Sequence, residues 1–321
     1  MADAVAAQFG VQGRLEPLIS ERDLNYCLTT STGRRFLVKV TSALESEDAT
    51  ALQVDVLSHL EHNGAVATPG VIRTRDGAAW ACIESAAGTH RLRLLSWVEG
   101  EQLESLQLDA DIAGRFGVAL AELDEALSDY AFSGENPVLV WDLQRVCELR
   151  PLLRRIDDRA VREAATAAID DYENEVVPGL GELRLQLIHA DANPENVLSR
   201  DGKIGFIDFS DMVRAPRVFD AAIAAAYLRS GGNDPLELIR PFLAGYQSVA
   251  PLDSAERGAL FDLVRARLAT SITLLHWRLD ERPAGDEYGQ KSQALESSAS
   301  HFLAALNGVG RKQFTKEINN L

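Results

Sequence analysis

Three polar residues at fixed spacing constrain this 321-residue chain more than any other feature. Asp191 and Asn196 lie five residues apart in Ile188-His189-Ala190-Asp191-Ala192-Asn193-Pro194-Glu195-Asn196, and Asp208 follows Asn196 by twelve in Gly205-Phe206-Ile207-Asp208-Phe209. Between them Asp201-Gly202 marks a two-residue hairpin turn, flanked by strand candidates at 197–199 and 204–209. Such a hairpin brings Asn196 and Asp208 to its two open ends, where they can share a cation. Phosphoryl transfer needs these groups: a carboxylate to take the proton of an attacking hydroxyl, and an amide oxygen with a second carboxylate to hold Mg²⁺ on phosphates. The pattern therefore predicts Asp191 as catalytic base, Asn196 and Asp208 as metal ligands, and His189 as a brace that hydrogen-bonds the loop. Taken singly, Asp191 also reads as a loop cap and Asp208 as a turn former.

These residues carry a resemblance. The chain resembles the aminoglycoside phosphotransferase-like kinases, the small-molecule branch of the protein-kinase-like fold, whose catalytic loop is His-x-Asp-x-x-x-x-Asn and whose metal Asp sits in an Ile-Asp-Phe strand. Within that group SERDLNY at 20–26, RLRLLSWVEG at 91–100 and IDFSDMV at 207–213 are most similar to hydroxylysine kinases and to kinase-like domains fused to some aminotransferases. The resemblance implies an α+β, bilobal protein-kinase-like fold with a small antiparallel-sheet lobe at 1–97 and a larger, mainly helical lobe at 98–321. It implies a hinge at about 97–101, with backbone groups of Trp97, Val98 and Glu99 binding adenine, and ATP and Mg²⁺ as cofactors. The expected reaction moves the γ-phosphate to a hydroxyl of a small amino-bearing substrate: a hydroxylysine-like amino acid, homoserine, an amino alcohol or an aminoglycoside. A nucleotide-binding pseudokinase without transfer is the alternative, and a homodimer is left open.

The first hundred residues read as strands around one helix. Strand candidates at 15–28 and 36–40 are separated by Ser31-Thr32-Gly33. Alternation places Phe36, Val38 and Val40 on one face and Lys39 on the other, where a nucleotide phosphate is the natural partner of a buried ammonium. A helix follows, opened by Ser42 with Glu45 in the form of a capping box, carrying Leu52, Val56 and Leu60, and closed by Asn63-Gly64. Protein kinases place a Glu on this helix to pair with the strand lysine. Here Gln53 occupies that turn, with Glu47 and Asp55 nearby, and the residue that meets Lys39 is left open. No Gly-x-Gly-x-x-Gly separates the first strands; Ser20-Glu21-Arg22-Asp23-Leu24-Asn25 stands there, with the Ser20 hydroxyl and backbone N–H groups as candidate phosphate contacts. Two further strands are expected at 80–84 and 89–97.

Beyond residue 101 the periodicity is helical. Ile112, Phe116, Leu120, Leu123 and Leu127 form one stripe, Pro235 starts a second helix, and Asp253 with Glu256 opens a long one bearing Leu260, Val264, Leu268, Ile272 and Leu275. Asp220 is expected to cap its helix or brace the loop. Substrate candidates are Asp211, three residues past the metal Asp; Trp141 and Asp142, an aromatic face and carboxylate suited to an amine; and Arg267, with His276 and Trp277 on the same helix, as a partner for a substrate carboxylate.

Composition excludes several partners. The formal net charge is −16, with −3 in residues 1–100 and −13 in the rest. Such a surface repels nucleic acid and anionic lipid and suits a cationic substrate. Cys27, Cys82 and Cys147 are widely spaced and lack metal-site companions, which fits a reducing compartment. No basic and apolar leader opens the chain, and no apolar run reaches membrane-spanning length. A cytoplasmic location is expected.

Overall fold

Short runs with period-two burial pair into one antiparallel sheet. The computed structural model describes residues 1–20, 23–86, 88–131, 137–230, 232–281 and 287–321, without the side chains of 280–292. The chain divides into two compact units, Met1–Gly100 with Gly205–Ser210, and Glu101–Ile204 with Asp211–Leu321. The first contains α1 (Ala2–Phe9), β1 (Arg14–Leu18), β2 (Leu24–Thr29), β3 (Arg35–Val40), α2 (Glu47–Asn63), β4 (Val71–Ile72), β5 (Ala81–Ser85) and β6 (Gly88–Ser96). The strand order is β1-β2-β3-β6-β4, with β5 also on β6. Phe36, Val38 and Val40 of β3 join Leu28, Leu92 and Leu94 in a core that Val5 and Phe9 of α1 complete. The register sets Lys39 opposite Asn25 on β2 and opposite Arg93 on β6, so the other face of the sheet carries a row of polar side chains.

Two local readings need correction. The expected strand at 15–28 is two strands, β1 and β2, and of the turn between them Glu21 and Arg22 lie outside the described residues. Helix α2 is capped by Ser46, which accepts the Ala49 N–H at 3.1 Å, and not by Ser42. The Ser42 and Glu45 backbones instead close a turn of their own, Glu45 N–H to Ser42 C=O at 3.1 Å, and that turn uses up the stretch expected to be helical. The other end is as expected: Gly64 takes φ 62°, left-handed, and its N–H bonds the Leu60 carbonyl.

The second unit holds β7 (Glu101–Gln102), α3 (Ala110–Leu127), α4 (Arg159–Asp171), β8 (Leu185–Ile188), β9 (Val197–Arg200), the first half of β10 (Lys203–Phe206), β11 (Val213–Pro216), α5 (Val218–Ala225), α6 (Ile239–Val249), α7 (Ser254–Glu281), α8 (Glu287–Val309) and α9 (Arg311–Ile318). Asp201 at φ 50° and Gly202 at φ 77° make the left-handed pair that a two-residue hairpin requires. Strand β10 ends at Phe206, earlier than expected, because Asp208 turns left-handed at φ 59° and Phe209–Asp211 coils into a 3₁₀ turn. Helix α6 begins at Ile239 and not at Pro235: the Asp234 carboxylate takes the Leu236 N–H at 3.0 Å and holds that stretch as a turn, leaving Pro241 in the first helical turn. Helix α7 opens on a reciprocal cap, Asp253 N–H to Glu256 at 3.0 Å and Glu256 N–H to Asp253 at 2.9 Å. Among the described residues no helix is long and apolar enough to cross a membrane.

Helices α3 and α6 meet through glycine. A Cβ on Gly117 would run into the Phe242 carbonyl, and one on Gly245 into the Gly114 carbonyl. Both obstacles are backbone, which cannot swing aside. Gly117→Ala is therefore expected to cost about 3 kcal/mol, read as a lowered urea midpoint at unchanged m-value; an unshifted midpoint would show that the helices separate freely.

Candidate active site

Strand β8 delivers the catalytic loop, and α5 fixes its shape. Asp220, fully buried at the start of α5, accepts the His189 N–H at 2.8 Å and the Ala190 N–H at 2.7 Å. These two bonds hold Ala190 at φ 62°, a conformation that costs a residue with a Cβ about 1–3 kcal/mol. The Asp191 N–H donates to His189 Nδ1 at 3.2 Å, so the imidazole accepts there and carries its hydrogen on Nε2. Asn196 Nδ2 donates to the Asp191 carbonyl at 3.0 Å and to Asp191 Oδ2 at 2.7 Å, which turns its amide oxygen the other way. The remaining carboxylate oxygen, Oδ1, takes Arg267 Nη2 at 3.0 Å. Both oxygens of Asp191 are thus directed by named donors.

Arg267 is a buried cation with hydrogen-bond, ionic and aromatic contacts. It is 1% exposed, bonds the Trp141 carbonyl at 3.3 Å and the Tyr227 hydroxyl at 3.1 Å, and lies 5.2 Å from the Trp141 ring centroid and 5.6 Å from that of Tyr227. Burial pulls its pKa down, but Tyr227 and Asp191 outweigh this and hold it above the ordinary guanidinium value. A second guanidinium, Arg278, stands 4.7 Å from the same indole. Protein cations therefore already meet the Trp141 ring that was expected to receive a substrate amine. Asp142 is 8% exposed and caps the following 3₁₀ segment through the Gln144 N–H at 2.9 Å; burial pushes its pKa up. Trp141, Asp142, Ala190 and Asp211 line one small cavity. His276 pairs with Glu296 at 3.3 Å, tying α7 to α8, and Trp277 is half-buried on α7.

Behind the loop lies a network that sequence reasoning missed. Asp124 of α3 is fully buried, accepts the Tyr246 hydroxyl and sits beside Asp220. Burial, with the Asp220 charge beside it, pushes the Asp124 pKa well above the carboxylate range. Burial also raises Asp220, offset by His189 and the two backbone N–H groups. A carboxyl whose folded pKa exceeds its unfolded value loses stability as pH rises between the two. Asp124→Asn keeps a donor at this position without an ionisable proton. The variant is expected to lose less stability than the parent as pH rises above the ordinary Asp value, measured by urea midpoints; parallel losses would remove the raised-pKa assignment.

In the first unit the sheet and the 205–210 segment supply the other candidates. Lys39 is 6% exposed; its Nζ donates to Ser210 Oγ at 2.6 Å and lies 3.2 Å from both Asp208 Oδ1 and Asp23 Oδ2. Gln53 does not meet it: its amide oxygen accepts from Arg93 at 2.7 Å. Ser20 is exposed in the connection after β1. The chain leaves β6 through Trp97, Val98 and Glu99; Arg35 stacks 4.9 Å from the Trp97 ring centroid and ion-pairs with Glu99. Asp23, Ser210 and Arg93 were not singled out from sequence, although an arginine in the alternating run Leu92-Arg93-Leu94 was a visible signal of a buried charge.

Solved structures with a protein-kinase-like phosphotransferase fold superpose on nearly the whole chain. The amicoumacin kinase hAmiN, in complex with AMP-PNP, Ca²⁺ and Ami, matches with a TM-score of 0.73 at 17% identity over 94% of this chain and 91% of its own. The phosphotransferase enzyme family model matches residues 15–261, and the chain belongs to that family. Hydroxylysine kinase of Danio rerio is 27% identical over 90% of this chain and 86% of its own length. Homoserine kinase of Xanthobacter autotrophicus is 27% identical over 88% of each. The fold is α+β and protein-kinase-like, and the protein is a small-molecule kinase, an ATP-using phosphotransferase with an alcohol acceptor. Nothing in these likenesses supports the alternative of a nucleotide-binding module without transfer.

Proposed function

We propose that the protein transfers the γ-phosphate of Mg·ATP to the side-chain hydroxyl of a small hydroxylated amino acid. The observation that carries this reading is Asp191, whose two carboxylate oxygens are directed by Arg267 and Asn196 on a loop braced by Asp220. The acceptor class rests on the relatives, whose names are hydroxylysine kinase and homoserine kinase over most of their lengths. Asp142 and Asp211, together on one small cavity with Ala190, supply charge for a substrate ammonium.

Asn196 and Asp208 are the proposed metal ligands, and oxygen donors suit a hard divalent cation. Asp208 and Asn196 offer oxygens, and Asp208 is 46% exposed at its side chain. Among the described residues no group of three or more His, Cys, Asp or Glu is arranged to hold a metal alone. A cation bound here takes its remaining ligands from phosphate oxygens and water, as Mg²⁺ does in kinase sites. Bound there, Mg²⁺ would neutralise charge on the phosphates. Asp191 orients the acceptor hydroxyl and accepts its proton; Arg267 keeps that carboxylate aimed. Lys39 donates to phosphate oxygens, and the backbone at 97–99 receives the adenine edge. The three free cysteines, Cys82 exposed among them, support a reducing, cytoplasmic setting.

ADP release measured against hydroxylysine, homoserine, ethanolamine, choline and an aminoglycoside tests the acceptor. Turnover with a hydroxy amino acid is the expected result; turnover confined to the aminoglycoside or the amino alcohols would overturn it. Asp191→Asn is expected to keep Mg·ATP binding and lower kcat by about 10²–10⁴-fold; unchanged kcat would remove its role. Asp208→Ala is expected to abolish the Mg²⁺-dependent part of the ATP-induced rise in Tm, since a ligand of the folded state stabilises it by mass action. A retained rise would move the metal elsewhere.

A further inference from the structure

The charge arrangement around Lys39 departs from the protein-kinase scheme in a way the family reading does not cover. A buried ammonium needs an anion, and in protein kinases a helix carboxylate supplies it. In this chain two carboxylates stand 3.2 Å from Nζ, Asp208 from the 205–210 segment and Asp23 from the start of β2. They are not equivalent. Asp208 is 46% exposed at its side chain and is the carboxylate that a metal would engage. Asp23 is 7% exposed at its side chain and held at both oxygens, Oδ2 by Lys39 and Oδ1 by the Ser42 N–H at 3.0 Å.

Helix α2 contributes no charge to Lys39. Its Gln53 is taken by Arg93, which lies directly across the β3–β6 ladder from Lys39 and also donates to Thr41 Oγ1 at 3.1 Å. That guanidinium is 1% exposed, and the hydrogen-bond acceptors it meets at Gln53 and Thr41 are neutral. The helix is thus tied to the sheet through Arg93, and the lysine is tied to the β1–β2 connection.

We propose that Asp23 is the positioning residue that holds Lys39 for the nucleotide phosphates, the task a helix carboxylate performs in protein kinases. The inference rests on the ATP-dependent reading above. When a metal engages Asp208, Lys39 keeps Asp23 as its counter-ion and turns its remaining donors to phosphate. The segment that lacks a glycine motif therefore supplies a fixed charge, and the aim of Lys39 does not depend on α2.

Asp23→Asn retains an acceptor for the Ser42 N–H and so preserves the turn. It is expected to raise the KM for ATP about ten- to hundred-fold, with kcat and the acceptor KM changed less than about threefold, and to shrink the ATP-induced rise in Tm measured without acceptor. Asp23→Glu is expected to recover part of the ATP KM. Two results would overturn the proposal: Asp23→Asn lowering Tm with the ATP KM unchanged, or Gln53→Ala raising the ATP KM as much as Asp23→Asn. A failed kinase reading would look different, since the unsubstituted protein would then show no ATP-dependent rise in Tm.

Discussion

A single carboxylate organises the catalytic loop. Asp220 receives two successive backbone N–H groups at the point where β8 gives way to the loop, and the left-handed turn at Ala190 exists because those bonds outweigh its steric cost. Everything that follows in the loop inherits this geometry. The Asp191 N–H finds His189 Nδ1, and the Asp191 side chain comes within reach of Arg267 and Asn196. A buried carboxylate asked to do this must itself be stabilised. Asp124, fully buried beside it and pushed well above the carboxylate range by burial and the Asp220 charge, accepts the Tyr246 hydroxyl. Hydrogen bonds thus run from Asp220 on α5 through His189 to Asp191, with little water to compete for them.

Three buried cations show three ways to meet the same electrostatic cost. Lys39 is given two carboxylates and a hydroxyl. Arg267 is given one carboxylate, a hydroxyl, a carbonyl and two aromatic rings, a combination that suits a planar, weakly hydrated ion. Among the described residues Arg93 hydrogen-bonds an amide and a hydroxyl, and burial pulls its pKa down against the Glu45, Asp23 and Asp208 charges. The first two neutralise charge beside groups assigned to chemistry. The third lies on the same face of the sheet as Lys39, within the field of the Glu45, Asp23 and Asp208 carboxylates.

Much of this was legible in the residues, and the gaps have physical causes. Local rules read the hairpin at Asp201-Gly202, the alternation of β3, the reciprocal cap of α7 and the Gly64 stop, because each depends on neighbours a few positions away. They failed where two local solutions competed. Ser42 with Glu45 and Ser46 with Ala49 both satisfy capping patterns, and only the tertiary bond from Ser42 N–H to Asp23 decides between them. The long-range partners were invisible for the same reason: Asp23 precedes Lys39 by sixteen positions, Arg93 follows Gln53 by forty, and Asp124 precedes Tyr246 by 122. Pattern reading gives the residue types a site needs; which of several carboxylates reaches a given cation is set by strand register and helix contact.

The missing glycine motif and the missing helix glutamate look like two separate losses relative to protein kinases, yet the structure links them. A Glu at position 53 would stand at Arg93 and leave Lys39 no better provided, because the strand register, not the helix, chooses which cation it meets. With Gln53 taken by Arg93, Lys39 finds its counter-ions in Asp23 at the start of β2 and in Asp208 of the 205–210 segment. A flexible glycine loop cannot hold a carboxylate still, since each such residue adds conformational freedom that must be lost on ordering. Anchoring Asp23 against the Ser42 backbone removes that freedom. The polar turn is therefore what a sheet with two adjacent buried cations requires.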